Sequence, residues 1–184
     1  MAEITKDKAQ QRSIDDLNSD LTFNDENNIA DMYLTFAVAG EEYGVGIGFV
    51  TEIVGMQKVM EVPDVPYFIK GVINLRGKVI PVMDVRRRFG MEEKEYTERT
   101  VIIVLDIANV PIGLVVDAVS EVLEIPEGNI DQPPRFGADQ DGKGVIRGLG
   151  KQGDRVAIIL DIDRLVSEHG IDRRKDPTVL KGAA

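Results

Sequence analysis

The sequence predicts an all-β fold in which two small, similar units of about five strands each pack on one another, with short helices between strands. Three observations predict it. Pro66 to Phe89 (PYFIKGVINLRGKVIPVMDVRRRF) reads as strand, tight turn, buried strand and one or two helical turns. Gly144 to Leu165 repeats that order, with Asp161 in the place of Asp84. Upstream, Tyr33 to Val54 parallels Thr100 to Leu123, so that Val50-Thr51-Glu52 answers Val119-Ser120-Glu121. The chain therefore contains a duplicated unit of about seventy residues, approximately 33–90 and 100–170. Two copies are fewer than a solenoid needs, and they suit two small β-units sharing an interface.

The elements follow in order. Met1 to Asn28 is polar and acidic, with isolated Ile4, Ile14, Leu17, Leu21 and Phe23. It buries too little to offset its ordering entropy and reads as a flexible tail, 1–28, with a transient helix over Ser13 to Leu21 capped by Ser13. The alternative is a docking segment for a partner. A single domain over 29–170 then begins with a strand, Ile29 to Val38, and Gly40-Glu41-Glu42 turns it into a return strand, Tyr43 to Gly48. Phe49 to Val54 is either a short helix or a strand. Met56 to Val62 reads as a further strand, and Pro63, Asp64 and Pro66 form the loop after it.

In the central stretch, Val72-Ile73 runs into a turn at Asn74-Leu75-Arg76-Gly77, where Gly77 accepts a positive φ. Val79 to Met83 is apolar on both faces and reads as a buried strand, with Pro81 at an edge or a bulge because it cannot donate a ladder bond. Asp84 is a natural N-cap, and Gly90 stops the helix begun at Val85. Arg86-Arg87-Arg88 is either a solvated face or a set of partners for acids such as Glu92 and Glu93.

Met91 to Glu98 is a charged linker. Val101 to Leu105 contains no polar residue and is buried on both faces; Asn109-Val110-Pro111 turns it and Ile112 to Val116 returns. Val119 to Ile125 copies the Val50 region, Pro126 to Asp131 is a turn, and Gln132 to Gly144 is a long loop with Phe136 as its only aromatic residue. Aligned on Gly71-Val72-Ile73, the second hairpin has a turn about four residues longer, through Gly150-Lys151-Gln152-Gly153. Asp161 to His169 is the last helix, Gly170 its stop, and 171–184 a polar tail.

Composition removes several function classes. The 184 residues include no Cys and one His. Disulfides, Cys-ligated zinc and thiol catalysis are excluded, and the composition fits a reducing cytoplasm. A net charge of −10 disfavours nucleic acid and anionic membrane surfaces. There is no apolar signal segment at the start and no run of 18 apolar residues. His169 stands at a helix C-terminus, as a cation should, and Ser13, Ser19, Ser120 and Ser167 lie in no nucleophile elbow. The glycines of GVGIG have neither the GxGxxG spacing nor a βαβ context. Asp139-Gln140-Asp141-Gly142 opens like a calcium loop, but Lys143 and Gly150 break the ligand pattern. No cofactor, no metal and no enzymatic activity are expected.

The stretch GVINLRGKVIPVMDVRRRF resembles the most specific segment of the CheW family, the small adaptors of bacterial chemotaxis arrays. The resemblance extends over about Ile29 to Gly170. It implies two SH3-like five-stranded barrels, with strand exchange between them leaving the barrel limits soft. It also implies a non-catalytic adaptor, monomeric when free and cytoplasmic, that couples methyl-accepting chemoreceptor tips to a CheA-type histidine kinase. Since the receptor tip is a helical hairpin, helix-in-groove recognition is expected between the barrels. Carried over residue by residue, the receptor groove would use Val50, Glu52, Ile53, Arg76, Val101 and Ile102, and the kinase and array contacts Lys70, Gly71 and Phe136. The resemblance brings Glu52 close to Arg76, where an arginine–carboxylate pair would fix both side chains. Alternative readings are a regulatory CheW-like domain of a kinase or of a receiver-linked adaptor, disfavoured because the chain starts with a tail at Met1 and its fold ends near residue 170, and an unrelated ligand-binding β-barrel.

Overall fold

A computed structural model describes residues 13–21, 29–133 and 144–167. The expectations placed on Phe136, on His169, on the remaining parts of the first 28 residues and on 171–184 lie outside those residues. After helix α1 (Ile14–Asp20) and a 3-10 turn (Ile29–Asp31) come β1 (Met32–Val38), β2 (Glu41–Gly46), β3 (Val50–Gly55), β4 (Ile69–Leu75), β5 (Lys78–Asp84) and the short α2 (Val85–Arg88). The second half supplies β6 (Val101–Ile107), β7 (Val110–Val116), β8 (Ala118–Glu124), β9 (Ile130–Asp131), β10 (Ile146–Gln152), β11 (Arg155–Leu160) and α3 (Ile162–Ser167).

The strands form two sheets, ordered β8-β1-β2-β11-β10-β9 and β3-β6-β7-β5-β4, each the wall of one small barrel. Neither barrel is a sequence repeat. The hairpin β1-β2 pairs with strands of the second repeat, and the hairpin β6-β7 sits between strands of the first. Each repeat thus donates its opening hairpin to the other barrel, joined on one side by an antiparallel contact (β1 with β8, β6 with β3) and on the other by a parallel one (β2 with β11, β7 with β5).

This exchange explains the burial. The largest cluster lies between the sheets and draws on Leu34 and Phe36 of β1, Ile53 of β3, Val101, Ile103 and Leu105 of β6, and Leu114 of β7. Alternate residues of β6, Ile102 and Val104, face a second cluster with Ile73, Ile80 and Val82 inside one barrel. Tyr33, Leu123, Ile125 and Ile159 fill the other barrel. A strand buried on both faces needs the uninterrupted apolar run that β6 has.

Several local expectations are corrected. The second hairpin turn is not longer: β4-β5 turns through Arg76-Gly77 and β10-β11 through Gly153-Asp154, two residues each. The equivalence runs from Ile69 with Ile146 to Asp84 with Asp161 at one constant spacing, so Gly71 answers Gly148, not Gly144. The physical reason is a backbone crossing. A Cβ on Gly71 would stand 2.1 Å from the Met60 carbonyl oxygen, and one on Gly148 2.5 Å from that of Asp131. Pro81 lies in an interior strand and is tolerated there because pairing with β7 starts only at Val82. Met56 to Val62 is no strand but a single bridge, Met60 with Val72. Phe49 closes a 3-10 turn, and Val50 opens β3. Part of Pro126 to Asp131 is a strand, β9, which lengthens one sheet to six.

The flexible-tail expectation fails for Ser13 to Leu21. Ser13 and Asp16 form a reciprocal capping box at the head of α1. Leu17 is buried in the main cluster, with Ile14 and Leu21 packed against it.

Candidate functional site

The β4-β5 turn is built by three neighbours. Asn74 accepts the Gly77 N–H on its Oδ1 at 2.9 Å, an Asx-type brace. Gly77 has φ +84°, and Arg76 itself has φ +52°. Positive φ at both central residues is the geometry of a two-residue hairpin whose twist matches its strands. Arginine rarely adopts it, because its Cβ crowds the backbone there. This turn therefore holds Arg76 where an Asn or Gly would sit more easily.

From that position the Arg76 guanidinium pairs with the Glu52 carboxylate on β3. The hydrogen bond that Arg76 donates to Glu52, and then the Glu52 charge, raise the Arg76 pKa above its ordinary value. Arg76 keeps 71% of its side chain exposed, against 24% for Glu52, so the pair is a presented surface anchored at its acidic end. It borders a cleft of about 440 Å³ whose other walls include Thr51, Lys78, Asp106, Asn109 and Pro111. The sequence reading did not name Lys78, which follows the Arg76 turn on β5, or Asp106, which reaches this cleft only through the exchange of hairpins.

The other residues named from the sequence fall into three groups. Val50 is half-buried at the start of β3, beside Glu52. Ile53 and Ile102 are fully buried and Val101 nearly so. Ile102 points into a barrel interior, and its Cγ2 would meet a Cβ on Gly113 at 2.7 Å, so it shapes the sheet and offers no surface. Ile53 lies under α1, whose Asn18 side chain hydrogen-bonds both its N–H (2.9 Å) and its carbonyl oxygen (3.1 Å). Lys70 and Gly71 are on β4, away from the Arg76 turn. Gly71 is buried under the Met60 backbone, and the Lys70 ammonium stands 4.3 Å from the centre of the Tyr96 ring. Beside them Met60 and Tyr67 are exposed, two large side chains the sequence reading passed over.

The arginine run is not a solvated face. Arg86 makes a two-pronged pair with Asp117 through Nε (2.9 Å) and Nη2 (2.5 Å). Arg87 pairs with Glu93 and donates to the Tyr67 carbonyl at 3.1 Å. Arg88 donates to the Leu165 carbonyl of α3 at 3.2 Å. Asp84 caps α2 and also accepts from the Tyr96 hydroxyl at 3.1 Å. Burial first, and then the Asp84 charge and hydrogen bond, push the Tyr96 pKa well up. The other barrel carries its own acid-arginine cluster, in which Arg155 bridges Glu42 and Glu121, the counterpart of Glu52.

Among the described residues no three His, Cys, Asp or Glu side chains converge as metal ligands, and no helix is long and apolar enough to cross a membrane. What the site presents is a fixed cation on a rigid turn, a shallow mixed cleft and a sheet edge. These are the parts of a two-barrel module that binds other proteins.

The comparisons with known proteins identify that module. The CheW-like domain family matches residues 32–169, and the chain belongs to this family of non-catalytic chemotaxis adaptors. Chemotaxis protein CheW of Klebsiella aerogenes is 40% identical over 135 residues, 73% of this chain and 81% of that one. Chemotaxis protein CheW of Bacillus subtilis is 35% identical over 135 residues, 73% of this chain and 86% of its own. The crystal structure of the scaffolding protein TtCheW from Thermoanaerobacter tengcongensis superposes with a TM-score of 0.67 at 36% identity, covering 75% of this chain and 93% of that one.

Proposed function

We propose that this chain works in the cytoplasm, where it couples chemoreceptor signalling tips to a CheA-type histidine kinase. The receptor-facing surface consists of Arg76, Glu52, Val50 and the β3 edge at Ile53. Val101 and Ile102 act from beneath by fixing the sheet, because neither has surface to give. The kinase and array contacts gather around Lys70, with exposed Met60 and Tyr67 as apolar anchors; Gly71 acts by letting the Met60 segment cross. Phe136 remains a proposed second anchor on the long loop. The free chain is a monomer in this reading.

The observation that carries the reading is the Arg76 turn. A two-residue hairpin holds an arginine in the left-handed region and ties it to one acid, yet leaves most of its side chain exposed. Exposed ion pairs contribute little to folding. A fixed fork instead limits which partner surface can dock, and so gives specificity. The test is a pull-down of a receptor signalling-tip fragment and a kinase regulatory domain by the wild-type chain and by Arg76→Ala and Glu52→Ala. Both variants should melt like wild type and lose receptor capture, and the double variant should lose less than the sum of the singles. Wild-type receptor capture by Arg76→Ala, or strict additivity, defeats the reading.

A further inference from the structure

Helix α1 lies outside the family match, which begins at residue 32, and yet it is seated on β3. β3 is an edge strand, paired only with β6. An unpaired edge is a ready template for another chain. Here the Asn18 side-chain amide occupies it, satisfying the N–H and the carbonyl of Ile53 together and thereby imitating one residue of a neighbouring strand. Around that clasp, α1 lays an apolar face, with Leu17 buried, Ile14 in contact with the Gly55 position at 3.7 Å, and Leu21 half-buried. The opposite face is acidic, with Asp15 and Asp16 in the first turn. This is an amphipathic helix in a groove, with apolar anchors one and four residues before the amide and three after it.

We propose that α1 is an internal ligand of the β3 edge, holding the place of a partner's amphipathic helix, so that α1 docking and receptor docking exclude one another. This rests on the adaptor reading above, which puts Ile53 and its neighbours at the receptor surface. The helix is suited to the role. It has seven residues, too few to persist alone in water, so it forms only while seated. Its hold combines one buried leucine, two half-buried apolar contacts and two hydrogen bonds, a set a longer partner helix can exceed. The same contacts describe the partner: a helix with spaced apolar residues and a side-chain amide aimed at the Ile53 backbone.

The experiment uses the full chain and two variants that loosen α1 without touching the groove. Asn18→Ala removes the clasp. Ile14→Asp removes an apolar contact at the first helical position, where a negative charge suits the helix dipole. Two readouts are taken, hydrogen exchange at the Ile53 amide and calorimetric affinity for a receptor signalling-tip fragment. Both variants should exchange Ile53 faster than wild type and bind the tip up to about tenfold more tightly, since the occluded fraction no longer reduces apparent affinity. Faster exchange with unchanged affinity overturns the proposal while leaving the adaptor reading intact. Faster exchange with weaker affinity overturns it too, and makes α1 part of the docking surface. Unaltered exchange in both variants removes its structural basis. If neither wild type nor variants bind the tip, the adaptor reading fails and the proposal fails with it.

Discussion

At the scale of single residues, backbone geometry decides what two of the named positions do. Arg76 sits where Asn is the favoured residue before Gly77. Arg76→Asn should therefore keep or raise the melting temperature in a thermal scan while receptor capture falls, separating the function of the side chain from the needs of the turn. A lower melting temperature would show that the Glu52 pair outweighs the turn preference. Gly71 is the opposite case. It has φ +151°, and a methyl group there would overlap the Met60 carbonyl. Gly71→Ala should destabilise by about 2–3 kcal/mol through overpacking, measured by urea unfolding. Near wild-type stability would mean that the Met60 crossing yields, and that Gly71 is free to be read as a contact residue.

At the scale of elements, α2 shows how a charge run becomes structure. Four residues long, it is held by the Asp84 cap below and by arginines reaching to Asp117, Glu93 and the Leu165 carbonyl. Arg86 sets the pH behaviour of this clasp. Its hydrogen bond is the leading cause that lowers the Asp117 pKa, with the Ala39 N–H and the Arg86 charge adding to it and burial opposing. The folded pKa lies below the unfolded value of about 3.9, so the stabilisation is fully present above that value and fades as pH falls through the folded one. The difference in urea midpoint between wild type and Asp117→Asn should be flat from pH 7 to about pH 5 and shrink below about pH 4. A difference that grows toward acid would contradict this assignment.

At the scale of the whole molecule, hairpin exchange ties the two barrels into one folding unit. The main cluster takes residues from both sheets, and Leu114 on the exchanged β7 is fully buried in it. Leu114→Ala should destabilise by about 2–5 kcal/mol. Because neither repeat can complete its own barrel, calorimetry should show one transition in wild type and one, at lower temperature, in the variant. Two resolved transitions in either would mean that the barrels unfold separately.

The sequence by itself determined the elements whose causes are local. Alternation and apolar runs placed β4 to β7, Asp84 and Gly90 bounded α2, and the Ser13 cap marked the start of α1, since capping and burial leave their residue types in the chain. The NLRG turn also marked Arg76, the arginine proposed for the receptor surface. Long-range choices were left to the tertiary structure. Whether each hairpin pairs within its repeat or across to the other depends on contacts about thirty to ninety residues apart, and local alternation and apolar runs do not distinguish the two. The match of Gly71 with Gly144 failed for the same reason: only a strand crossing over Gly148 shows which glycine is required. Ile53 and Ile102 look alike as strand residues, yet one packs between the sheets with its backbone clasped by α1, and the other packs inside a barrel. Asn18 carries no local signal at all, because its partner is the backbone of Ile53, and any residue there except proline would present the same two groups.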